Sequence, residues 1–184
     1  KIKINTQILS SKAIKNQKIS TDNIYTFTGT LIHNYYELII KKQLDINILL
    51  SNKLTYIYSL FITNNFSESE INSAIEVVKK SLISLQKSNA GQWIYKLHKE
   101  EGMEVNYLQT INDEIKTLIP DRTFIEDDVR WIIDYKTVFD DELNLETEAK
   151  THTEQLKIYE SLFDNNYPIK KAIYFVAQGS LVLI

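Results

Sequence analysis

The most constraining feature of this sequence is a pair of strand patterns joined by a short acidic turn. Residues Ile115–Ile125 and Val129–Val138 are rich in β-branched and aromatic side chains, and the three residues between them are Glu-Asp-Asp. Two such runs with so few polar residues between them are typical of a β-hairpin. The chain must therefore contain a sheet, and the hairpin fixes which of its side chains face one another.

The register of this hairpin brings two aspartates together. If Asp127 and Asp128 are the two turn residues, counting outwards places Asp121 directly opposite Asp134. Directly opposed side chains share a face, with Cβ atoms about 4.5–5.5 Å apart. A longer loop would shift this register, because Asp-Asp is a poor sequence for a type I′ turn. Two carboxylates held so close among apolar residues repel each other, and a divalent cation that prefers oxygen ligands would relieve the repulsion.

A lysine completes the group of charged residues on this face. Lys136 follows Asp134 by two residues, so the alternation of a strand places both side chains on the same side of the sheet. Most Asp-x-Lys triplets are surface ion pairs, but this one ends an apolar strand. An ammonium group in that place can orient a water nucleophile or neutralise charge that develops on a phosphate.

The rest of the chain predicts a mixed α/β fold. Helical periodicity precedes the hairpin and strand patterns surround it, so the order is helices, a three-strand meander, a helix and a strand, which predicts an α/β sandwich with a mixed sheet. The predicted elements are a helix beginning near Thr30, one over 47–62, one opened by a Ser67–Glu70 capping box, a short one over Gln92–Lys99, strands over Met103–Ile111, Ile115–Ile125 and Val129–Val138, a helix over Glu146–Phe163 and a strand over Ile169–Val176.

Length and composition limit the protein class. We treat residues 1–184 as one domain, with 1–22 as a linker or arm, 23–100 as mainly helical and 101–184 as the catalytic sheet and helix. The absence of cysteine excludes disulfides, thiol nucleophiles and iron–sulfur clusters. No apolar run is long enough to span a bilayer and no signal peptide is visible, so we expect a cytoplasmic protein. Both ends look like cuts, which favours a fragment of a larger protein.

Three sequence elements stand out together: the first is Gly29-Thr-Leu-Ile-His33, the second is Asp121 followed by Asp134-Tyr135-Lys136, and the third is Gln155-Leu-Lys-Ile-Tyr159. This set resembles the RecB-type nuclease domain of the PD-(D/E)XK family, as found at the C-terminus of UvrD-like helicase–nuclease subunits of the exodeoxyribonuclease V beta and AddA type. The three elements occur in the family's order and cover residues 29 to about 176. The lack of cysteine separates this chain from the iron–sulfur branch of that family.

The resemblance implies a restriction-endonuclease-like fold with a long N-terminal helical region, and a role for each matching residue. The metal ligands would be a neutral nitrogen of His33, the carboxylates of Asp121 and Asp134, and the main-chain carbonyl of Tyr135. Lys136 would act on the attacking water. Gln155 and Tyr159, one helical turn apart, would brace Lys136 or the DNA backbone. Mg²⁺, with Mn²⁺ as a substitute, is the expected cofactor.

Other polar residues are given weaker assignments. Glu37 is a candidate partner that orients His33, and Glu104 matches an acidic position in related nucleases, although a surface role explains it equally well. We expect His98 and His152 to face solvent, and we expect the run Asp140-Asp141-Glu142 to be a solvated loop.

The implied function is hydrolysis of DNA phosphodiesters, leaving 5′-phosphate and 3′-hydroxyl ends, by an exonuclease domain of an ATP-dependent helicase–nuclease that works in recombinational DNA repair. Its partners would be DNA, the attached helicase region and further subunits. The net charge of −3 indicates that DNA affinity does not come from bulk attraction. Two alternatives stay open: a stand-alone or defence nuclease with the same chemistry, and an inactive nuclease-like module that binds DNA or docks a subunit.

Overall fold

The computed structural model describes residues 23–111, 113–164 and 166–184. The predicted arm at 1–22 lies outside these residues. The first half of the described chain is helical, as predicted, and contains α1 (Ile24–Lys42), α2 (Ile46–Asn52), α3 (Leu54–Thr63), α4 (Glu68–Lys87) and α5 (Asn89–Tyr95).

Local capping explains where the two long helices begin. The Asn23 side chain accepts the Thr26 amide at 3.0 Å, so α1 begins at Ile24 rather than near Thr30. The predicted capping box is confirmed, because Ser67 accepts the Glu70 amide while the Glu70 carboxylate accepts the Ser67 amide. These caps therefore fix the residue at which α1 and α4 begin.

Two helical predictions need correction. The pattern over 47–62 is two helices, with Lys53 ending α2 and preceding α3. The short helix predicted over Gln92–Lys99 ends at Tyr95, and Lys99 begins the first strand. Both errors arise because helical periodicity continues across a short break in the hydrogen-bond ladder.

The second half contains seven strands and two helices: β1 (Lys99–Met103), β2 (Tyr107–Ile111), β3 (Glu114–Leu118), β4 (Arg122–Glu126), β5 (Val129–Lys136), α6 (Leu145–Thr151), α7 (Thr153–Glu160), β6 (Ile169–Phe175) and β7 (Ser180–Leu183). Five of the strands form one mixed sheet in the order β1-β4-β5-β6-β7, in which β5 and β6 are parallel and the other pairs antiparallel. The predicted mixed α/β class is confirmed at this level.

The central hairpin has the predicted register. Glu126 pairs with Val129, and the ladder continues to Arg122 opposite Ile133, so the next step outwards sets Asp121 against Asp134. Asp127 and Asp128 have φ values of 51° and 55° and form the two-residue turn. Aspartate tolerates this left-handed conformation better than most residues, which is why an Asp-Asp turn is compatible with the tight hairpin.

The predicted three-strand meander is wrong in detail. The strands expected over Met103–Ile111 and Ile115–Ile125 are each split. The end of the first run, β2, pairs with the start of the second, β3, and the two form a separate sheet between β1 and β4 in the chain. The ladder breaks at Glu104, where φ is 50°, and at Pro120, which has no amide hydrogen to donate. The insertion therefore begins and ends beside the two residues that approach His33.

The single helix predicted over Glu146–Phe163 is also divided, with His152 between α6 and α7. The hydroxyls of Thr151 and Thr153 donate to the backbone carbonyls of Glu148 and Lys150, three residues earlier. Such side-chain hydrogen bonds compete with the helical ladder and bend it.

Helices cover both faces of the five-stranded sheet. Helices α1, α4 and α5 share one buried cluster with Phe124, Tyr135 and Tyr174, while α6 and α7 share another with Ile132 and Ile173. Over the described residues, none of the helices combines the length and the apolar character that a membrane crossing requires.

Candidate metal centre

Three chain segments meet where the inserted β2–β3 hairpin joins the main sheet. Helix α1 brings His33, the end of β1 leads to Glu104, and Asp121 directly precedes β4. His33 is held there because Ile32 and Tyr36, on the same helix, are fully buried against the sheet. The packing of α1 therefore determines where the imidazole points.

The donor atoms of these three residues converge. His33 Nδ1 lies 3.3 Å from Asp121 Oδ1 and 3.7 Å from Glu104 Oε1. One nitrogen and two carboxylate oxygens, one from each residue, all lie within 4.8 Å of one another, and this is the single group of three or more such residues among those that the structure describes. It contains two of the predicted ligands, His33 and Asp121.

The electrostatics of this group favour a positive charge between the carboxylates. Burial alone would lower the pKa of His33, but the adjacent Asp121 and Glu104 outweigh it and raise the pKa to about 10. The imidazolium thus supplies the positive charge that two clustered carboxylates require. A divalent cation would supply that charge instead if the ring were neutral.

The second oxygen of Asp121 is bound to the backbone. Asp121 Oδ2 accepts the Tyr135 amide hydrogen at 2.6 Å. Because the regular pairing of β4 begins only at Arg122, this side chain takes the place of a strand carbonyl beside β5. The hydrogen bond fixes the carboxylate while its other oxygen faces His33.

Asp134 lies in a second polar group on the α7 side of the sheet. Its side chain is 4% exposed; Lys136 Nζ lies 2.8 Å from Oδ2, and Gln155 Nε2 donates to Oδ1 at 3.1 Å. Burial, and then the negative charge of Asp121, raise the pKa of Asp134 above its usual value, although Lys136 and His33 oppose the shift. Asp134 and Asp121 therefore interact across the hairpin, as the register predicts.

Gln155 contacts Asp134 rather than Lys136, and Tyr159 contacts Gln155, whereas the predicted contact with the DNA backbone stays a prediction. The Gln155 amide donates both to Asp134 and to the Tyr159 hydroxyl, the latter at 2.9 Å. The Tyr159 hydroxyl in turn donates to the Ile119 carbonyl at 3.3 Å. Helix α7 is thereby tied to β5 and to the segment that leads into β4.

The two polar groups divide the predicted site residues. His33 and Asp121 belong to the converging donors, whereas Asp134, Lys136, Gln155 and Tyr159 form the neighbouring network. The ring of Tyr135 lies on the face of the sheet opposite the Asp134 side chain, where it packs against His33 and Tyr36. Its amide donates to Asp121, and a ligand role for its carbonyl stays a prediction.

Glu104 is the residue that sequence reasoning undervalued. The sequence favours a surface role for Glu104 as much as a functional one, but its carboxylate lies within the donor group. Its backbone amide donates to the Asp121 carbonyl at 3.3 Å, so the two acidic residues extend the β1–β4 pairing. The signal that the sequence offered was the position of Glu104 directly after β1, the strand that pairs with β4.

Three further expectations are corrected and one is confirmed. Glu37 pairs with Lys41, one turn along α1, rather than with His33. His98 is not solvent-facing, because its side chain is 1% exposed and its ring stacks on Phe124. His152 is half-buried and lies 3.4 Å from Glu148. The run Asp140-Asp141-Glu142 is exposed, as predicted.

Comparison of the chain with protein-family models gave no match, and a search of curated proteins gave none either.

Proposed function

We propose that this chain is a Mg²⁺-dependent DNA nuclease domain of the RecB type, with a restriction-endonuclease-like fold. The observation that carries the proposal is the convergence of His33, Glu104 and Asp121 beside the buried Asp134–Lys136 pair, all at one end of a single hairpin. The sequence resemblance implies this arrangement, in which two acidic residues oppose each other across a hairpin and a lysine lies on the same face.

The donor chemistry fits a hard divalent cation. One imidazole nitrogen and two carboxylates surround a common space, and the raised pKa of His33 shows that these carboxylates need a positive partner. We assign His33, Asp121 and Glu104 as ligands, with Asp134 and the Tyr135 carbonyl as further candidates. When bound, the ion would supply Lewis acidity toward a phosphodiester.

The neighbouring residues supply orientation and charge. Lys136, held 2.8 Å from Asp134, offers an ammonium that can neutralise charge developing on the scissile phosphate or orient the attacking water. Gln155 and Tyr159 hold Asp134 in place through their hydrogen bonds. The chain would in this way position a water and a phosphate without a covalent intermediate.

We propose the biological setting from the same resemblance. The domain would be an exonuclease joined to a helicase motor of a DNA repair enzyme in the cytoplasm, leaving 5′-phosphate and 3′-hydroxyl ends. The net charge of −3 supports such a setting, because an acidic domain gains from a motor that delivers the strand.

A DNA degradation assay tests the activity. We expect cleavage with Mg²⁺ or Mn²⁺, none with Ca²⁺ or EDTA, and a loss of at least about a hundredfold in Asp134→Asn. The matched control is Asp128→Asn, which makes the same chemical change at an exposed turn residue whose φ of 55° asparagine tolerates. Equal cleavage by wild type and Asp134→Asn would contradict the assignment.

A Mn²⁺ titration should accompany the assay, because an isolated domain can bind metal while cutting slowly without its motor. Substitution of a ligand should weaken Mn²⁺ binding, and Asp128→Asn should leave it unchanged. Tight binding that survives both His33→Gln and Asp121→Asn would place the ion elsewhere and contradict the proposed centre.

A further inference from the structure

A further histidine, His152, has a place that follows from the geometry of the connection, through α6 and α7, that crosses from β5 to β6. Because β5 and β6 are parallel, the connection through α6 and α7 returns antiparallel to them. Gln155, on α7, contacts Asp134 on β5. His152 directly precedes α7, three residues before Gln155, and Lys136 lies two residues, about 6.6 Å, beyond Asp134 along β5, so both extend from the Gln155–Asp134 contact in the same direction.

His152 also shares a helical face with the residues that support Asp134. Positions 152, 155 and 159 follow the spacing of one face of a helix. Tyr159 lies at the far end of this face, where it reaches the Ile119 carbonyl, and Gln155 lies in the middle. His152 occupies the remaining end, where the charge of Lys136 acts on it.

The imidazole of His152 is held but not enclosed. Its Nε2 lies 3.4 Å from Glu148 Oε1, one turn earlier on α6, and its side chain retains 23% exposure. A carboxylate at one ring nitrogen orients the ring and leaves the other nitrogen for a ligand. The partly exposed ring is therefore positioned rather than buried in the core.

The charges around His152 indicate the kind of ligand. Burial and the ammonium of Lys136 lower the pKa of His152, although Glu148 opposes this effect. Two basic groups that repel each other at the edge of a site would both be stabilised by an anion near them. The anion that the proposed function brings to this edge is a DNA phosphate.

We propose that His152, oriented by Glu148, donates a hydrogen bond to a phosphate of the bound DNA strand, next to Lys136. The proposal deepens the nuclease assignment and rests on it. In the complex both ring nitrogens carry hydrogen, one directed at Glu148 and the other at the phosphate. Binding of the strand is then coupled to uptake of one proton by the ring, while Lys136 and Glu148 are the charged groups that face it.

The full chain allows a direct test because it contains three histidines, His33, His98 and His152. Ring signals in ¹H–¹³C NMR spectra can be assigned by substituting each in turn. The probe is a short single-stranded thymidine oligonucleotide with Ca²⁺ in place of Mg²⁺, which permits binding without cleavage. We expect the His152 signal to shift and its pKa to rise when the oligonucleotide binds.

Affinity gives the second measurement. His152→Gln should weaken oligonucleotide binding about tenfold near pH 6, and less near pH 8, because the charge-assisted hydrogen bond is lost. Mn²⁺ affinity should stay the same, since His152 lies outside the donor group. Lys157→Gln is the matched control: it removes a cation from an exposed position of the same helix and should weaken binding less than twofold.

The possible results separate the two proposals. If the wild type neither binds the oligonucleotide nor cuts DNA, the nuclease assignment fails and the phosphate contact fails with it. If the wild type binds and cuts while His152→Gln binds equally well and the His152 signal does not move, only the phosphate contact is overturned. A purely structural role would lower the thermal stability of His152→Gln without changing its affinity, which also overturns the proposal.

Discussion

At the scale of single residues, Asp121 makes two separable contacts. One carboxylate oxygen faces His33 at 3.3 Å, and the other accepts the Tyr135 amide hydrogen at 2.6 Å. Asn keeps an oxygen that can accept the amide hydrogen but loses the negative charge, whereas Ala loses both. The two substitutions therefore distinguish metal binding from support of the hairpin.

We predict that Asp121→Asn weakens Mn²⁺ binding at least about tenfold and lowers the unfolding free energy only through the loss of the charge beside His33. Asp121→Ala should weaken Mn²⁺ equally and also cost a further 1–3 kcal/mol or so, because the buried Tyr135 amide is left without an acceptor. Isothermal titration and urea unfolding measure the two quantities. Equal stabilities of the Asn and Ala variants would show that the amide hydrogen bond contributes nothing.

The sequence predicted the register of the central hairpin better than the contacts around it. The opposed aspartates follow from counting outwards from a two-residue turn, and Lys136 follows from strand alternation, so both are local inferences. The approach of Glu104 to His33 depends on the packing of α1 and the pairing of β1 with β4, which periodicity does not encode. The contact between Gln155 and Asp134 was not predicted for the same reason, since it is set by the crossing of α7 over β5.

At the scale of helices, two glycines differ in what a side chain would meet. A Cβ at Gly29, one turn before His33, would lie 3.7 Å from Thr137 Oγ1, which is an ordinary contact. A Cβ at Gly91 would lie 2.3 Å from the Ser84 carbonyl oxygen and 2.7 Å from Leu85 Cα. Both glycines are helical, so helix propensity alone would make alanine favourable at each position.

We therefore predict opposite effects of the same substitution. Gly29→Ala should stabilise the fold by about 0.5–1 kcal/mol through helix propensity. Gly91→Ala should destabilise it by about 1–3 kcal/mol, because α5 must move away from the backbone of α4. Urea unfolding of both variants provides the measurement. A stable Gly91→Ala protein would mean that α5 does not pack against α4 as closely as described.

Acid sensitivity is predicted at the turn that joins β4 to β5. The pKa of Glu126 is lowered, because hydrogen bonds from Lys96 and Trp93 outweigh its burial. Burial is the main cause that lowers the pKa of His98. Each group binds fewer protons in the folded state near its ordinary pKa, so the stability that it contributes is present above that value and is lost as the pH falls.

The stabilisation that His98 contributes should accordingly be lost as the pH falls below 6.5, its ordinary value, and that of Glu126 as the pH falls below 4.5. Glu126→Gln should be less stable at neutral pH by about 1–2 kcal/mol and should lose less stability on acidification. Glu114→Gln, at a glutamate that is 75% exposed, is the control and should follow the wild type. A parallel fall in wild type and Glu126→Gln would remove Glu126 as the cause.

Element boundaries were predicted where the physical signal is local. The box at Ser67 and Glu70 fixed the start of α4, and the register of the central hairpin survived a poor turn sequence because both aspartates adopt positive φ. The separate β2–β3 sheet was missed because each long apolar run continues across its break. The division between α6 and α7 was missed because the hydroxyls of Thr151 and Thr153 bond to carbonyls that the sequence does not identify.

At the scale of the whole molecule, the candidate centre links parts of the fold that are distant in sequence. His33 belongs to the helical half, while Glu104 and Asp121 flank the hairpin inserted into the sheet. An unfolded chain cannot bring these three donors together. An ion that binds here therefore binds the native state in preference to the unfolded state and must stabilise it.

We predict that Mn²⁺ at a hundredfold excess over its Kd raises the unfolding free energy by about 2.7 kcal/mol, which corresponds to a rise in Tm of about 5–10 °C. Differential scanning fluorimetry with Mn²⁺ and with EDTA measures the shift. His33→Gln should abolish most of it, because that substitution removes the ligand contributed by the helical half, whereas Glu37→Gln, at the exposed Lys41 pair on the same helix, should retain it. A full shift in His33→Gln would mean that the ion is held by the sheet alone, and the helical half would then have no part in the centre.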